Sequence, residues 1–265
     1  MAQPSTRAVN ASSAMDVLPF HVIAYDEVDS TNTVARGLCA AEAADRTLVW
    51  ARRQTAGRGR LKRTWVSPTG NLYISLILRP QAPMGEATAL TFVAAVAVAD
   101  AIADLLPAAA VHCKWPNDVL VEGRKIAGIL LESAATADGR PDWVIVGIGV
   151  NVVSHPPAAD VIYPATSLAA EGTNAVNAET VLTTLCQRLD YWLRQWNETG
   201  FASVRAAWLA RAHKLGHLII VGDGTHAVSG VFRGIDDKGV LLVDRDGVIH
   251  RVIAGDVLPT RPAPT

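Results

Sequence analysis

The sequence predicts an α+β fold followed by a small C-terminal β-barrel. Residues 71–79 and 143–150 are nearly all apolar and rich in strand formers, which reads as buried strands. Residues 86–106 and 178–198 instead carry helical patterns. In the second, Val181, Leu182, Leu185, Leu189, Trp192, Leu193 and Trp196 fall on one stripe at three- and four-residue spacings. From His213 the pattern changes to short strands separated by tight-turn residues such as Asp236-Asp237-Lys238-Gly239 and Asp246-Gly247, the spacing of a small barrel.

In chain order, residues 1–18 are polar, alanine-rich and interrupted by Pro4, and read as a disordered tail. Residues 20–25 form a first strand. Asp29-Ser30-Thr31-Asn32 opens a helix reaching about Ala43, with Asp29 or Ser30 as an ordinary N-cap. Residues 47–53 are a strand leading into a basic loop, and 71–79 a central strand broken by Pro80 and Pro83. The helix over 86–106, stopped by Pro107, is a core element. Its most apolar run, 87–99, is shorter than the roughly 20 residues of a spanning helix. Residues 111–115 are a strand whose regular pairing ends at Pro116, which has no N–H to donate. Residues 119–121 and 125–132 form a hairpin around Glu122-Gly123-Arg124, which places Lys125 at a strand start facing a cleft. A strand at 143–150 ends beside Asn151. Residues 154–177 read as an irregular connection, then come helices at 178–198 and 201–212. The expected division is a catalytic part at 19–212 and the barrel at 213–261.

Composition narrows the function. A chain of 265 residues with half of them hydrophobic suits one domain plus a small second one. Formal net charge is −1, without the global basic field common in nucleic-acid binders. Cys39, Cys113 and Cys186 are odd in number and widely spaced, which fits a reducing cytoplasm and not a disulfide framework. Neither a CxxC pair nor an HExxH helix is present.

Residues 54–65 carry the most chemistry. Gly57 and Gly59 alternate with Arg58 and Arg60, and Lys62 and Arg63 follow. Glycine permits a sharp turn and close backbone approach, and successive N–H groups can form an anion-binding nest. Arginine adds a planar fork fitting carboxylate or phosphate. Four cations within six residues repel unless an anion sits among them, so the loop is expected to be mobile when empty and ordered around phosphates.

This stretch resembles the signature loop of biotin–protein ligases. Lys114-Trp115-Pro116-Asn117-Asp118 with Lys125-Ile126-Ala127-Gly128-Ile129-Leu130 resembles the family's second signature. Ser30-Thr31-Asn32 and Gly147-Ile148-Gly149-Val150-Asn151 resemble two more, in family order over residues 30–151. Lys62 departs from the pattern, since family loops commonly carry glycine there.

The resemblance implies a mixed β-sheet with flanking helices, of the class II aminoacyl-tRNA synthetase-like type, and an SH3-like C-terminal domain. It implies that ATP activates biotin as biotinyl-5'-AMP and that a lysine of a biotin carboxyl carrier protein receives the biotin. Ser30, Thr31, Asn32, Gln54, Gly57, Arg58, Gly59, Arg60, Lys125 and Gly128 are the implied biotin residues. Arg58, Arg60, Arg63, Trp65, Asn117, Lys125 and Asn151 are those for ATP. Lys125, Arg60 and Asp118 are the implied catalytic residues, with Lys125 bridging the biotin carboxylate and the α-phosphate. Mg²⁺ would share the pyrophosphate charge, with no side chain assigned to it. Asn117 and Asp118 stay open between metal, ATP phosphate and the incoming lysine. Trp65 is open between adenine stacking and core. A lipoate ligase or octanoyltransferase of similar fold is the related reading, and a nucleic-acid-binding module the unrelated one. The two intact signatures favour biotin. The expectation is a cytoplasmic enzyme without DNA or membrane partners, for which a homodimer is compatible. About twenty residues precede the catalytic part, too few for the helix-turn-helix that some members carry.

Overall fold

The computed structural model describes residues 8–9, 18–136, 139–173, 175–222 and 227–259. The larger part is an eight-stranded sheet. Its strands are β1 (Ala8–Val9), β2 (His21–Val28), β3 (Thr47–Gln54), β4 (Leu72–Leu78), β5 (Val111–Lys114), β6 (Asp118–Val121), β7 (Arg124–Ala135) and β8 (Pro141–Val150), in the order β1-β2-β3-β4-β8-β7-β6-β5. The β2–β3 pair is parallel and the other pairs are antiparallel, so the sheet is mixed as expected.

Strand alternation sends neighbouring side chains to opposite faces. One face carries Leu72, Ile74, Leu76, Val144, Val146 and Ile148, buried with helices α3 (Leu90–Leu105), α4 (Ala178–Thr199) and α5 (Phe201–Ala210) in the main core. The other face is covered by α1 (Thr31–Ala40) only around Val49, Ala51, Ile77 and Ile145. Farther along, that face offers Ser75, Gly147, Gly149 and Gly128, and there the site opens.

Several expectations shift. Helix α1 ends at Ala40, three residues before Ala43, because Glu42 takes a left-handed φ of 57°. The single helix over 86–106 is two, α2 (Met84–Ala87) and α3. Three-residue hydrogen bonds, Ala89 N to Glu86 O and Phe92 N to Ala89 O, tighten the chain between them. The stretch Met84–Leu105 is long and apolar enough to cross a membrane, but most of it is buried inside the fold. Strand β5 ends at Lys114, one residue short of the expected 115, and Pro116 lies outside the ladder in the turn that follows, as expected. Trp115–Pro116 is a cis peptide within a tight turn, and β5 and β6 pair with Lys114 opposite Asp118. Of the expected tail, Ala8–Val9 pairs with Tyr25 and Ala24 at the sheet edge, and its other residues up to 17 lie outside those described.

The C-terminal part is a five-stranded antiparallel sheet, compatible with a small barrel. Its strands are β9 (Leu218–Gly222), β10 (Val228–Ile235), β11 (Leu241–Arg245), β12 (Val248–Val252) and β13 (Asp256–Val257), in the order β12-β11-β10-β9-β13. It docks on the larger part through the Trp115 indole, which donates to Gly239 O at 3.1 Å, and Arg205, which donates to Ile235 O at 2.8 Å.

Candidate active site

The open face holds a cavity of about 520 Å³. Of the residues singled out from sequence, Ser30, Thr31, Asn32, Gln54, Arg58, Gly59, Arg60, Arg63, Trp65, Asn117, Asp118, Lys125, Gly128 and Asn151 all line it. Gly57 does not. It is buried where an added Cβ would stand 2.4 Å from Trp65 O, so it lets the loop backbone fold on itself.

At one end lie neutral polar groups. Ser30 is the N-cap of α1, yet its side chain makes no capping hydrogen bond. That task falls to Gln54, whose Oε1 accepts from Thr31 N at 2.8 Å and Thr31 Oγ1 at 3.1 Å. Gln54 Nε2 donates to Ser67 Oγ at 2.9 Å, so this side chain ties the helix start to the far end of the loop. Ser75 Oγ lies 2.8 Å from Thr31 Oγ1 and 2.5 Å from Asn32 Oδ1. Asn32 Nδ2 is buried without a hydrogen-bond partner among the described residues. An orphaned buried donor is costly, and a ligand acceptor would satisfy it.

Asp118, Gly128 and Gly149 stand side by side across β6, β7 and β8. The Trp65 indole lies on this row. A Cβ at Gly149 would come within 2.5 Å of the ring, and one at Gly147 within 2.2 Å of Asn32 Oδ1. The Gly-x-Gly of β8 is therefore a floor for two site side chains. Both open readings of Trp65 are narrowed: the half-buried ring belongs to the cavity wall, not the hydrophobic core.

At the other end three charges meet. Asp118 is buried between Lys114 Nζ at 2.9 Å from Oδ2 and Lys125 Nζ at 2.5 Å from Oδ1. Burial alone would raise its pKa. The two ammonium groups, Lys125 first and then Lys114, outweigh that and bring it down to about 2. Lys125 also lies 5.3 Å from the centre of the Trp65 ring. Asn117 donates to Ile129 O at 2.6 Å and accepts from Arg60 Nη1 at 3.3 Å. Asn151 donates to Thr166 O at 2.9 Å, which fixes the 164–168 segment beside the cavity.

The loop arginines already have anions. Arg58 Nη1 is 3.1 Å from Glu132 Oε1, Arg60 Nη1 is 3.2 Å from Asp256 Oδ1, and Arg63 Nη2 is 2.5 Å from Asp256 Oδ2. The expected self-repulsion of an empty loop is thus offset by two carboxylates of the protein. Sequence reasoning missed Asp256, Lys114 and Tyr163, which also line the cavity. Lys114 had a signal, being part of a quoted motif. Asp256 and Tyr163 had none.

The model of the biotin/lipoate A/B protein ligase family matches residues 25–151, and that of the biotin protein ligase C-terminal domain matches 214–258. The chain is 46% identical over 219 residues to a biotin--[acetyl-CoA-carboxylase] ligase of Paracoccus denitrificans, across 81% of this chain and 90% of that protein. The chain belongs to the biotin protein ligase family. Two solved structures of the family share the fold. The biotin protein ligase of Aquifex aeolicus in complex with biotin and ATP superposes with a TM-score of 0.75 at 28% identity, covering 89% of this chain and 97% of that one. The biotin protein ligase of Leishmania major in complex with biotinyl-5-AMP gives 0.63 at 26%, covering 89% and 99%.

Proposed function

We infer that the chain is an ATP-dependent biotin–protein ligase that makes biotinyl-5'-AMP and passes the biotin to a lysine of a carboxyl carrier protein. The observation that carries this reading is the arrangement of the cavity. A neutral polar end with an orphaned Asn32 amide and a cationic end at Lys125 are joined by a Trp65 wall on a glycine floor.

Biotin has a neutral ureido ring, an apolar chain and a carboxylate. Its ring suits Ser30, Thr31 and Asn32, which hydrogen-bond without the desolvation cost of a charge. Its carboxylate then points toward Lys125. Attack on the α-phosphate of ATP brings two anions together, and the developing charge on phosphorus needs fixed cations. Lys125 sits between them. Arg58, Arg60 and Arg63 exchange Glu132 and Asp256 for nucleotide phosphates, while Trp65, Asn117 and Asn151 line the nucleotide side. Gly59 and Gly128 let backbone approach the ligand.

Asp118, held near pKa 2, is a poor base for an ammonium group. It fits better as the anion that draws the acceptor lysine in. A protein-held Mg²⁺ does not fit at Asp118, whose two oxygens are matched by lysines, and the described residues form no cluster of three metal-ligating side chains. Mg²⁺ belongs to the ATP phosphates in this reading.

The three buried, free cysteines support a cytoplasmic setting. The net charge of −1 and the carboxylate-paired loop arginines support a role without direct DNA binding. The test is to mix protein, biotin and MgATP without acceptor. Stoichiometric biotinyl-adenylate should be retained, and its transfer should follow addition of a carrier domain. Equal turnover with lipoate would overturn the biotin assignment.

A further inference from the structure

Tyr163 lies in the irregular connection between β8 and α4, where the proposed mechanism assigns it nothing. Its ring covers Lys114, whose Nζ stands 4.9 Å from the ring centre. Lys114 is 4% exposed, so this ring and Asp118 make up much of the environment of a buried ammonium group. The ring is itself fixed. Tyr163 Oη lies 3.0 Å from His213 Nε2, and the two rings meet edge to face with centroids 6.4 Å apart. His213 is in turn tied to β5, since His213 N donates to Cys113 O and Cys113 N donates to Arg211 O, both at 2.8 Å.

The residues after Tyr163 grip the second lysine. Lys125 N donates to Pro164 O at 2.7 Å, and Thr166 N donates to Lys125 O at 2.9 Å, so 164–166 run as a short parallel strap beside Lys125. One segment thus holds the side chain of Lys114 and the backbone of Lys125, the two cations flanking Asp118.

We propose that Tyr163, braced by His213, is a positioning residue that keeps Lys114 on Asp118 as a fixed counter-ion, so that Lys125 is free to leave Asp118 for the reacting anions. The physical need is clear. A buried carboxylate stripped of its only cation is strongly unfavourable. If Asp118 had Lys125 alone, moving Lys125 to the biotin carboxylate and α-phosphate would orphan it. With Lys114 held on Oδ2, Oδ1 becomes available to the acceptor-lysine ammonium when Lys125 departs. A desolvated ammonium on an aromatic face gains most from that contact. Burial first, then the nearby positive charges of Lys214, His112 and Lys114, bring the His213 pKa down to about 4, so the imidazole is neutral and can accept from the tyrosine hydroxyl at physiological pH.

This rests on the reading of Lys125 and Asp118 as the reacting centre, and the test separates the two. Full-length Tyr163→Leu, Tyr163→Phe, Lys114→Met, the Tyr163→Leu/Lys114→Met pair and Lys125→Ala are compared in pyrophosphate release and in single-turnover transfer from preformed adenylate to a carrier domain. Tyr163→Leu should slow transfer on the order of tenfold to thirtyfold, with the KM for biotin and ATP within about twofold. Tyr163→Phe, which keeps the ring face, should recover all but about fivefold. The double variant should be no slower than Lys114→Met, because both changes remove one interaction. Multiplying defects in the double variant, or transfer by Tyr163→Leu at the wild-type rate while Lys125→Ala is inactive, overturns the proposal. Wild-type pyrophosphate release by Lys125→Ala instead sinks the underlying site reading. If Tyr163→Leu loses its cooperative melt, His213→Gln takes its place. It should slow transfer about as much as Tyr163→Phe, and an unchanged rate would count against the brace.

Discussion

Arg60 of the signature loop lies 3.2 Å from Asp256 on the last strand of the C-terminal sheet. Arg63 reaches the other oxygen of the same carboxylate, and Arg60 also donates to Gly255 O at 3.4 Å. The C-terminal part therefore supplies an anion that holds the loop across the cavity, in the role a nucleotide phosphate would take over. Partly exposed ion pairs contribute roughly 0.2–1 kcal/mol each. Asp256→Asn should leave global stability nearly unchanged but open the loop more often. Tryptic cleavage after Arg58, Arg60 or Arg63 should speed up about twofold to tenfold without ligand, and biotin plus ATP should protect both proteins equally. Equal cleavage of the two empty proteins would show that Asp256 does not hold the loop.

Lys125→Ala should nearly abolish adenylate formation. Removing one preorganised charge from a developing anion costs about 10²–10³ in rate, and here the same group must reach both reactants. The fold should survive, because Lys114 still balances Asp118. Pyrophosphate release is the readout, with circular dichroism as the control. A rate within tenfold of wild type would remove Lys125 from the bridging role.

Gly149→Ala tests the floor under Trp65. The new methyl would stand 2.5 Å from the indole, closer than any real contact, so the ring must lift. The ligand slot should distort, with weaker binding of both biotin and ATP by calorimetry. Neighbouring Ile148 points into the core, and Ile148→Val should cost stability, about 0.5–1.5 kcal/mol, with little change in binding. The opposite ranking of the two variants would contradict the geometry.

These glycines mark the limit of what the sequence made legible. The strands and helices were readable because Leu72–Leu78 and the α4 stripe carry unambiguous periodicities, while Gly147 and Gly149 were legible only as part of a motif, and their role as the floor of the open face came from the packing of Asn32 and Trp65 over them. The strand at Asp256–Val257 was not readable. Two residues carry no periodicity, and their pairing with Gly222 and Val221 is set by tertiary contact. The ion pairs of Arg60 and Arg63 with Asp256 span more than 190 residues, beyond any local pattern. Tyr163 was hidden for a similar reason, since an irregular segment has no face until something packs against it. Lys62 has φ of 60°, and Leu61 before it 53°, a left-handed conformation that glycine adopts more readily than either side chain.

Stability should depend on pH through His213. Its folded pKa, about 4, lies below the ordinary 6.5 because burial disfavours the charged form. The folded state then binds fewer protons than the unfolded chain between these values, so stability is complete above about pH 6.5 and declines as pH falls toward 4. Asp118 acts in the same direction lower down. Its ion pairing is complete above its ordinary 3.8 and lost as pH falls through about 2. Melting temperature should fall from pH 7 to pH 4.5, and His213→Gln should flatten that slope. Parallel curves for the two proteins would assign the slope elsewhere.

Arg60→Gly should make an enzyme that leaks its intermediate. Arg60 joins the loop to Asn117 on one side and Gly255 and Asp256 on the other, so it is the loop residue best placed to hold the cavity shut over biotinyl-adenylate. Losing one charge-assisted hydrogen bond costs on the order of 1.5–3 kcal/mol, a tenfold to hundredfold faster escape if it falls mainly on the off-rate. Adenylate should still form through Lys125. The escaped mixed anhydride acylates any exposed amine, so albumin mixed with mutant enzyme, biotin and ATP should become biotinylated. Lys62 is exposed in the same loop, and its charge partly replaces the missing arginine in this account. Arg60→Gly with Lys62→Gly should therefore label albumin faster than Arg60→Gly alone, while Lys62→Gly alone should not leak, because Arg60 keeps its three contacts. Labelling no greater than wild type in both Arg60 variants would mean that the loop is not the lid.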